Sequence, residues 1–222
     1  KKLNIGNVRV FNSNIPLDLS YLYQLQDLDL SEELHFEKRL PRKTAMLADN
    51  RPVFAQVKAK DILLSYPFES ITTSFIRLLE ECAVDPKVVS IKITLYRLAR
   101  NSKVISALCN AAENGKDVTV MIELRARFDE ANNIEWSKIL QKSGVKVIYG
   151  PKEFKAHSKL LLIKRKSTGD KFDYVTQVGT GNYNEKTASL YTDLMIMTAD
   201  REIAEDAEQV FDCLMNGTFV EK

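Results

Sequence analysis

Histidine is almost missing from this chain. Two of its 222 residues are histidines, His35 and His157, so any chemistry that needs an imidazole runs through one of two positions. Cysteine is scarce too. Cys82, Cys109 and Cys213 are odd in number and far apart, with no C-x-x-C spacing. That gives no support for a disulfide framework or a thiolate zinc site, and fits a reducing cytoplasm. Cys82 and Cys109 fall in helical patterns and read as packing residues. No apolar run approaches the length of a membrane span, and Lys1-Lys2-Leu3-Asn4-Ile5 lacks the apolar core of a signal peptide. An excess of one charge is also lacking: 32 Lys and Arg stand against 30 Asp and Glu, for a net charge of +2. A polyanion site must therefore come from local clustering. Lys152, Lys155, His157, Lys159, Lys164, Arg165 and Lys166 supply one such cluster. There is no internal repeat and no low-complexity tract.

What is present suits one large α/β domain, or a domain with an appendage: 45% of residues are apolar and 28% charged. Residues 1–50 are poorly periodic and punctuated by Pro16 and Pro41. They read as a leading segment, the remnant of an upstream domain or linker, with the main domain at 51–222. The order improves after Asp61. Apolar residues at Ile71, Phe75, Ile76, Leu78, Leu79 and Cys82 predict a helix over 71–82, stopped by Asp85-Pro86. β-rich runs are predicted at 88–96, 118–124 and 145–149. A helix capped by Ser102 and closed by Asn114-Gly115 lies between the first two, and a helix over 131–142 between the last two. Strands around 160–163 and 174–178 form a hairpin, with Lys164 to Lys166 near its solvated tip. A strand at 190–197 and an amphipathic helix at 201–214 follow. The apolar strands need cover on both faces, which predicts an α/β sandwich with a mixed β-sheet and helices on both sides.

His157 lies in Phe154-Lys155-Ala156-His157-Ser158-Lys159, directly before Leu160-Leu161-Leu162-Ile163. In an extended strand alternate residues share a side, which predicts that His157 and Lys159 project together. A neutral ring nitrogen can attack phosphorus while an ammonium holds its oxygens. The unperturbed imidazole pKa of about 6.5 leaves much of it neutral near pH 7. Some twenty residues on comes Gly179-Thr180-Gly181-Asn182, a tight turn whose final amide can donate a hydrogen bond without adding charge. Arg97 and Arg127 follow predicted strands, where ligands gather in open α/β sheets, and guanidinium forks suit phosphate oxygens. Taken singly, each of these is also an ordinary surface feature; the joint order carries the reading.

That order resembles half of the phospholipase D superfamily signature, H-x-K followed by G-x-x-N. It departs from it at position 164, which is Lys where the pattern has aspartate. A closer resemblance is to polyphosphate kinase of the bacterial type. Its carriers are Tyr66-Pro67-Phe68-Glu69-Ser70, Ile93-Thr94-Leu95-Tyr96-Arg97, Glu123-Leu124-Arg125-Ala126-Arg127-Phe128-Asp129-Glu130, Lys155-Ala156-His157-Ser158-Lys159, Gly179-Thr180-Gly181-Asn182-Tyr183-Asn184 and Leu190-Tyr191-Thr192-Asp193-Leu194. The resemblance implies a phospholipase D-like sandwich, the first of two such domains in a longer enzyme. It implies reversible transfer of the ATP γ-phosphate to inorganic polyphosphate, through phosphohistidine at the position of His157. The phospholipase D-like pattern implies catalytic support from Lys159 and Asn182, and the resemblance to polyphosphate kinase implies nucleotide contact at Tyr191. Arg97 and Arg127 match positions associated with Mg2+, and are expected to reach it through bound phosphates, because arginine is no ordinary metal ligand. The expected partners are ATP, ADP, polyphosphate and the rest of the same enzyme, a homo-oligomer at full length. Nucleic acid is not expected as a partner. The expected location is the cytoplasm, with membrane association open to the full-length enzyme. The fragment alone is expected to be nearly inactive.

Two other readings stay open on the residues alone. One is a phosphodiesterase that builds its site from two half-sites, which would cleave a diester with no nucleoside triphosphate present. The other is an idle polyanion-binding module, whose binding would weaken steeply with salt and survive His157→Ala.

Overall fold

The computed structural model describes residues 12–28, 34, 37, 39–96, 102–123, 130–151 and 155–218. The chain divides into two units, 1–39 and 40–222. The first contains a 3-10 helix, Ser20–Asp27, on which Tyr21, Leu22, Tyr23 and Leu25 are all exposed. The second carries the sheet and everything that follows.

It opens with α1 (Val53–Ala59), β1 (Ile62–Tyr66) and α2 (Arg77–Val84), the last entered through a π-helical turn at Thr72–Ile76. Then β2 (Val88–Leu95), α3 (Lys103–Glu113), β3 (Asp117–Ile122), α4 (Glu130–Lys142) and β4 (Lys146–Tyr149) alternate. β5 (Leu160–Lys166) and β6 (Phe172–Gly179) form a hairpin, followed by α5 (Glu185–Ala188), β7 (Asp193–Thr198) and α6 (Arg201–Asn216). Among the described residues the strands make one sheet in the order β1-β7-β6-β5-β2-β3-β4. β2-β3 and β3-β4 pair in parallel, each joined by a helix as parallel neighbours require, and the other pairs are antiparallel. The mixed sheet is as expected.

Alternation along β5 shows why both faces need helices. Leu161 and Ile163 join the main core with Leu78 and Leu79 of α2, Val104 and Leu108 of α3 and Leu140 of α4. Leu160 and Leu162 point the other way, against Ala204, Ala207 and Phe211 of α6. Ser102 caps α3 as expected, its Oγ accepting from the Ile105 N–H, and Glu185 of α5 accepts the next N–H, that of Lys103, at 2.7 Å. Asp200 caps α6 by accepting from the Glu202 and Ile203 N–H groups. Cys82 is buried, as packing requires, and burial pushes its thiol pKa up. No helix among the described residues is long and apolar enough to cross a membrane.

Three expectations change. β7 begins at Asp193 rather than 190, because the short α5 and the turn after it occupy the intervening chain. The basic run at 164–166 is the end of β5 rather than a free tip: Arg165 pairs with Asp85 at 2.7 Å, and the Lys164 ammonium sits 4.3 Å from the Phe172 ring centre. The single basic cluster therefore splits. Lys155, His157 and Lys159 lie at one end of β5 and residues 164–166 at the other, about 20 Å away at the usual strand rise; Lys152 lies outside the described residues.

Candidate active site

His157 does not sit in the strand. β5 starts at Leu160, and 155–159 is an irregular approach to it. The expected strand-side pairing with Lys159 is therefore corrected. His157 is exposed, whereas Lys159 is 5% exposed and turns its Nζ back to donate to the His157 carbonyl at 2.5 Å. A lysine held there satisfies part of its donor capacity on backbone instead of reaching into solvent. The two still converge, around an aromatic ring. Tyr96, at the end of β2, meets the His157 ring edge-on with centroids 5.1 Å apart. The ammonium groups of Lys159 and Lys155 lie 5.1 and 5.5 Å from the same Tyr96 ring centre.

These neighbours set the protonation states. Partial desolvation, then the charges of Lys159 and Lys155, hold the His157 pKa below its ordinary value, which favours the neutral, nucleophilic ring. Burial pushes the Lys159 ammonium down to about 8, with the Asp193 carboxylate pulling the other way.

The backbone around His157 is fixed on both sides. The Ala156 N–H donates to Glu123 Oε2 at 3.0 Å, and Glu123, just past β3, is buried. Thr94, buried on β2, donates through Oγ1 to the Ser158 carbonyl at 2.8 Å and accepts from the Leu160 N–H at 3.0 Å. The Asn133 amide of α4 donates to the Tyr96 and Glu123 carbonyls at 3.0 and 3.2 Å, tying together the ends of β2 and β3.

The glycine turn packs against the start of β7. The Gly179 N–H donates to the Lys159 carbonyl, and Thr180 Oγ1 donates to Asp193 Oδ1 at 2.8 Å while accepting the Leu194 N–H. Glycine is required at 181 by contact: a Cβ there would lie 2.4 Å from Asp193 Cγ. Asn182 follows, half-buried, its Oδ1 buried without a hydrogen-bond partner among the described residues. A cleft of about 440 Å³ opens between residues 157–160, residues 178–180 and the α6 face bearing Asp206, Ala207 and Val210.

The fold thus gathers His157, Lys159 and the glycine turn that precedes Asn182 at one end of β5 and β6. Tyr191 lies on the turn before β7, 59% exposed. Arg97 and Arg127 lie outside the described residues, as does His35. Sequence reasoning missed Thr94, Tyr96, Glu123, Asn133 and Asp193 as parts of this site. Their only signal was position, since each lies at or beside a strand end within a stretch already singled out, except Asn133, which comes from a helix. Among the described residues no three His, Cys, Asp or Glu side chains gather as a metal site.

A mixed sheet with helices on both faces, an H-x-K histidine leading into a central strand and a glycine turn beside it define the class: a phospholipase D-like α/β domain. The crystal structure of Nuc, a phospholipase D family member from Salmonella typhimurium, is similar in fold, with a TM-score of 0.54 at 16% identity over 71% of this chain and 94% of that one. Residues 52–219 match the family model for polyphosphate kinase C-terminal domain 1, and the chain belongs to the polyphosphate kinase family. It is 41% identical to a polyphosphate kinase of Rhodopirellula baltica and 43% identical to one of Halalkalibacterium halodurans, over 96% of its own length in both cases. It spans 25% and 30% of those relatives. The crystal structure of polyphosphate kinase from Porphyromonas gingivalis matches with a TM-score of 0.75 and 34% identity, over 90% of this chain and 33% of that one.

Proposed function

We infer that residues 51–222 form one catalytic domain of a polyphosphate kinase, preceded by a leading segment at 1–50, and that His157 carries the phosphoryl group between ATP and polyphosphate. A neutral ring nitrogen of His157 attacks the γ-phosphorus, a P–N bond forms, the bond to the bridging oxygen breaks and ADP leaves. A terminal oxygen of polyphosphate then attacks the same phosphorus, the P–N bond breaks and the chain grows by one unit. Lys159 neutralises the phosphoryl oxygens, and the Asn182 amide contributes a neutral hydrogen bond beside it. Tyr191, exposed on its turn, contacts the nucleotide. Arg97 and Arg127 hold phosphates, with magnesium arriving on the nucleotide rather than in a protein-built shell.

The observation that carries this reading is the convergence on Tyr96 of His157, with its lowered pKa, and two ammonium groups. A nucleophile needs its neutral form, and a phosphoryl group needs cations within reach; the arrangement provides both. The test is incubation with γ-labelled ATP and magnesium, using the chain alone and as part of a polypeptide extended to the length of its relatives. Acid-labile label on His157 of the extended polypeptide, absent in His157→Ala, is expected. Label that survives that substitution, or diester hydrolysis without a nucleoside triphosphate, would overturn the assignment.

A further inference from the structure

The residues on either side of His157 in sequence are each hydrogen-bonded to a buried side chain, one on β2 and one just past β3. The Ala156 N–H is held by Glu123 beyond β3, and the Ser158 carbonyl by Thr94 of β2. Thr94 reaches further, accepting the N–H of Leu160, the residue that opens β5. An irregular approach segment has no sheet ladder of its own, so its geometry rests on such side-chain bonds. Asn133 then fixes the two clamps relative to each other, since one amide group donates to the carbonyl of Tyr96 and to that of Glu123. Tyr96 is also the ring that His157 meets edge-on. A chain of contacts therefore runs from α4, through the ends of β2 and β3, to the backbone on both sides of the histidine and to its ring.

We propose that Thr94 and Glu123 are positioning residues that fix His157 for in-line attack on a phosphoryl group, and that Asn133 sets the spacing between them. The proposal rests on the reading of His157 as the nucleophile and deepens it. A nucleophile misplaced by about 1 Å loses on the order of 100-fold in rate, so backbone clamps at both neighbours are a sufficient means of control. Neither Thr94 nor Glu123 has to touch the phosphate to have this effect. Thr94 donates one bond and accepts another through one hydroxyl, so valine, which matches its shape and lacks the oxygen, removes both, while serine keeps both.

The experiment uses the chain itself and potassium phosphoramidate, a small donor that phosphorylates histidine directly. His35 serves as the internal reference, because it is the other histidine in the chain. In the unaltered chain, the Ala156 and Leu160 amides are expected to exchange with solvent at least 100-fold more slowly than those of an exposed loop. Thr94→Val is expected to lower the ratio of phosphate on His157 to that on His35 by about 10-fold. It should also move the imidazole titration, followed by NMR, up toward its ordinary value. Thr94→Ser should restore both. Fast exchange of both amides in the unaltered chain overturns the proposal without any variant having to fold. So does an unchanged ratio in Thr94→Val, or a Thr94→Ser chain that behaves like the valine variant. Because no step uses ATP, a failure of ATP-dependent labelling would count against the proposed function and leave these outcomes to decide the clamps.

Discussion

His157 and Lys159 are separated by one residue and titrate on opposite sides of neutrality, which gives the site a pH window. The His157 pKa is lowered, so the ring remains neutral somewhat below its ordinary value and loses nucleophilicity only as pH falls through the shifted value. Lys159 is a cation below about 8 and loses that charge as pH rises through it, so oxygens held by the ammonium are held less well on the alkaline side. The rate of His157 phosphorylation should therefore be bell-shaped, with its alkaline limb near 8. Lys159→Arg should remove that limb, because a guanidinium does not deprotonate in this range; a limb that persists unchanged would assign it to another group. A second prediction concerns Gly181. Adding a methyl drives it into the Asp193 carboxylate, which is already engaged by Thr180. Gly181→Ala should destabilise the chain by about 1–3 kcal/mol, as overpacking does, measured by urea unfolding.

Among the described residues α6 covers the second face of the β5-β6 hairpin, and Phe211 is its fully buried anchor against Leu160 and Leu162. Phe211→Ala should cost about 3–5 kcal/mol, read from denaturant melts. The loss should fall on the sheet face that also walls the cleft beside His157. Elements of this kind were legible in the sequence because burial writes itself as period: the apolar runs of β2, β3 and β5, and the capped α3 and α6, stand where spacing and cap residues put them. α1 and β1 left no comparable signal, being short and next to prolines and charges. α5, four residues long, is set by the Asn184 cap, which accepts the N–H groups of Lys186 and Thr187. A cap without an apolar stripe cannot be told from a turn. The site was legible where chemistry is concentrated in rare residues, at His157 and the glycine turn. It was not legible where ordinary residues act through the third dimension. Thr94 matters because β2 happens to pair with β5, and Asn133 because α4 packs its amide over two strand ends.

At the scale of the molecule, the site is open. His157 and Lys155 are exposed, and Tyr191 is more than half exposed. The proposed transfer from ATP to polyphosphate requires that water be kept from the intermediate, since a phosphohistidine is a labile P–N linkage that water can also attack. An open site favours hydrolysis over transfer even when the nucleophile is well placed. The relatives devote most of their length to segments other than the one matched here, for this chain spans 25% and 30% of two of them. We therefore expect the chain alone to make polyphosphate from ATP at least 100-fold more slowly than an intact relative under the same conditions. Any phosphate it draws from ATP should appear mainly as free orthophosphate. Parallel measurement of ATP consumed, orthophosphate released and polyphosphate formed separates the two fates. Synthesis at a rate comparable to the intact enzyme, with little orthophosphate, would mean that the half-open site already excludes water. Low synthesis accompanied by acid-labile label on His157 would instead locate the deficit in the second half-reaction, where acceptor and intermediate must be enclosed together.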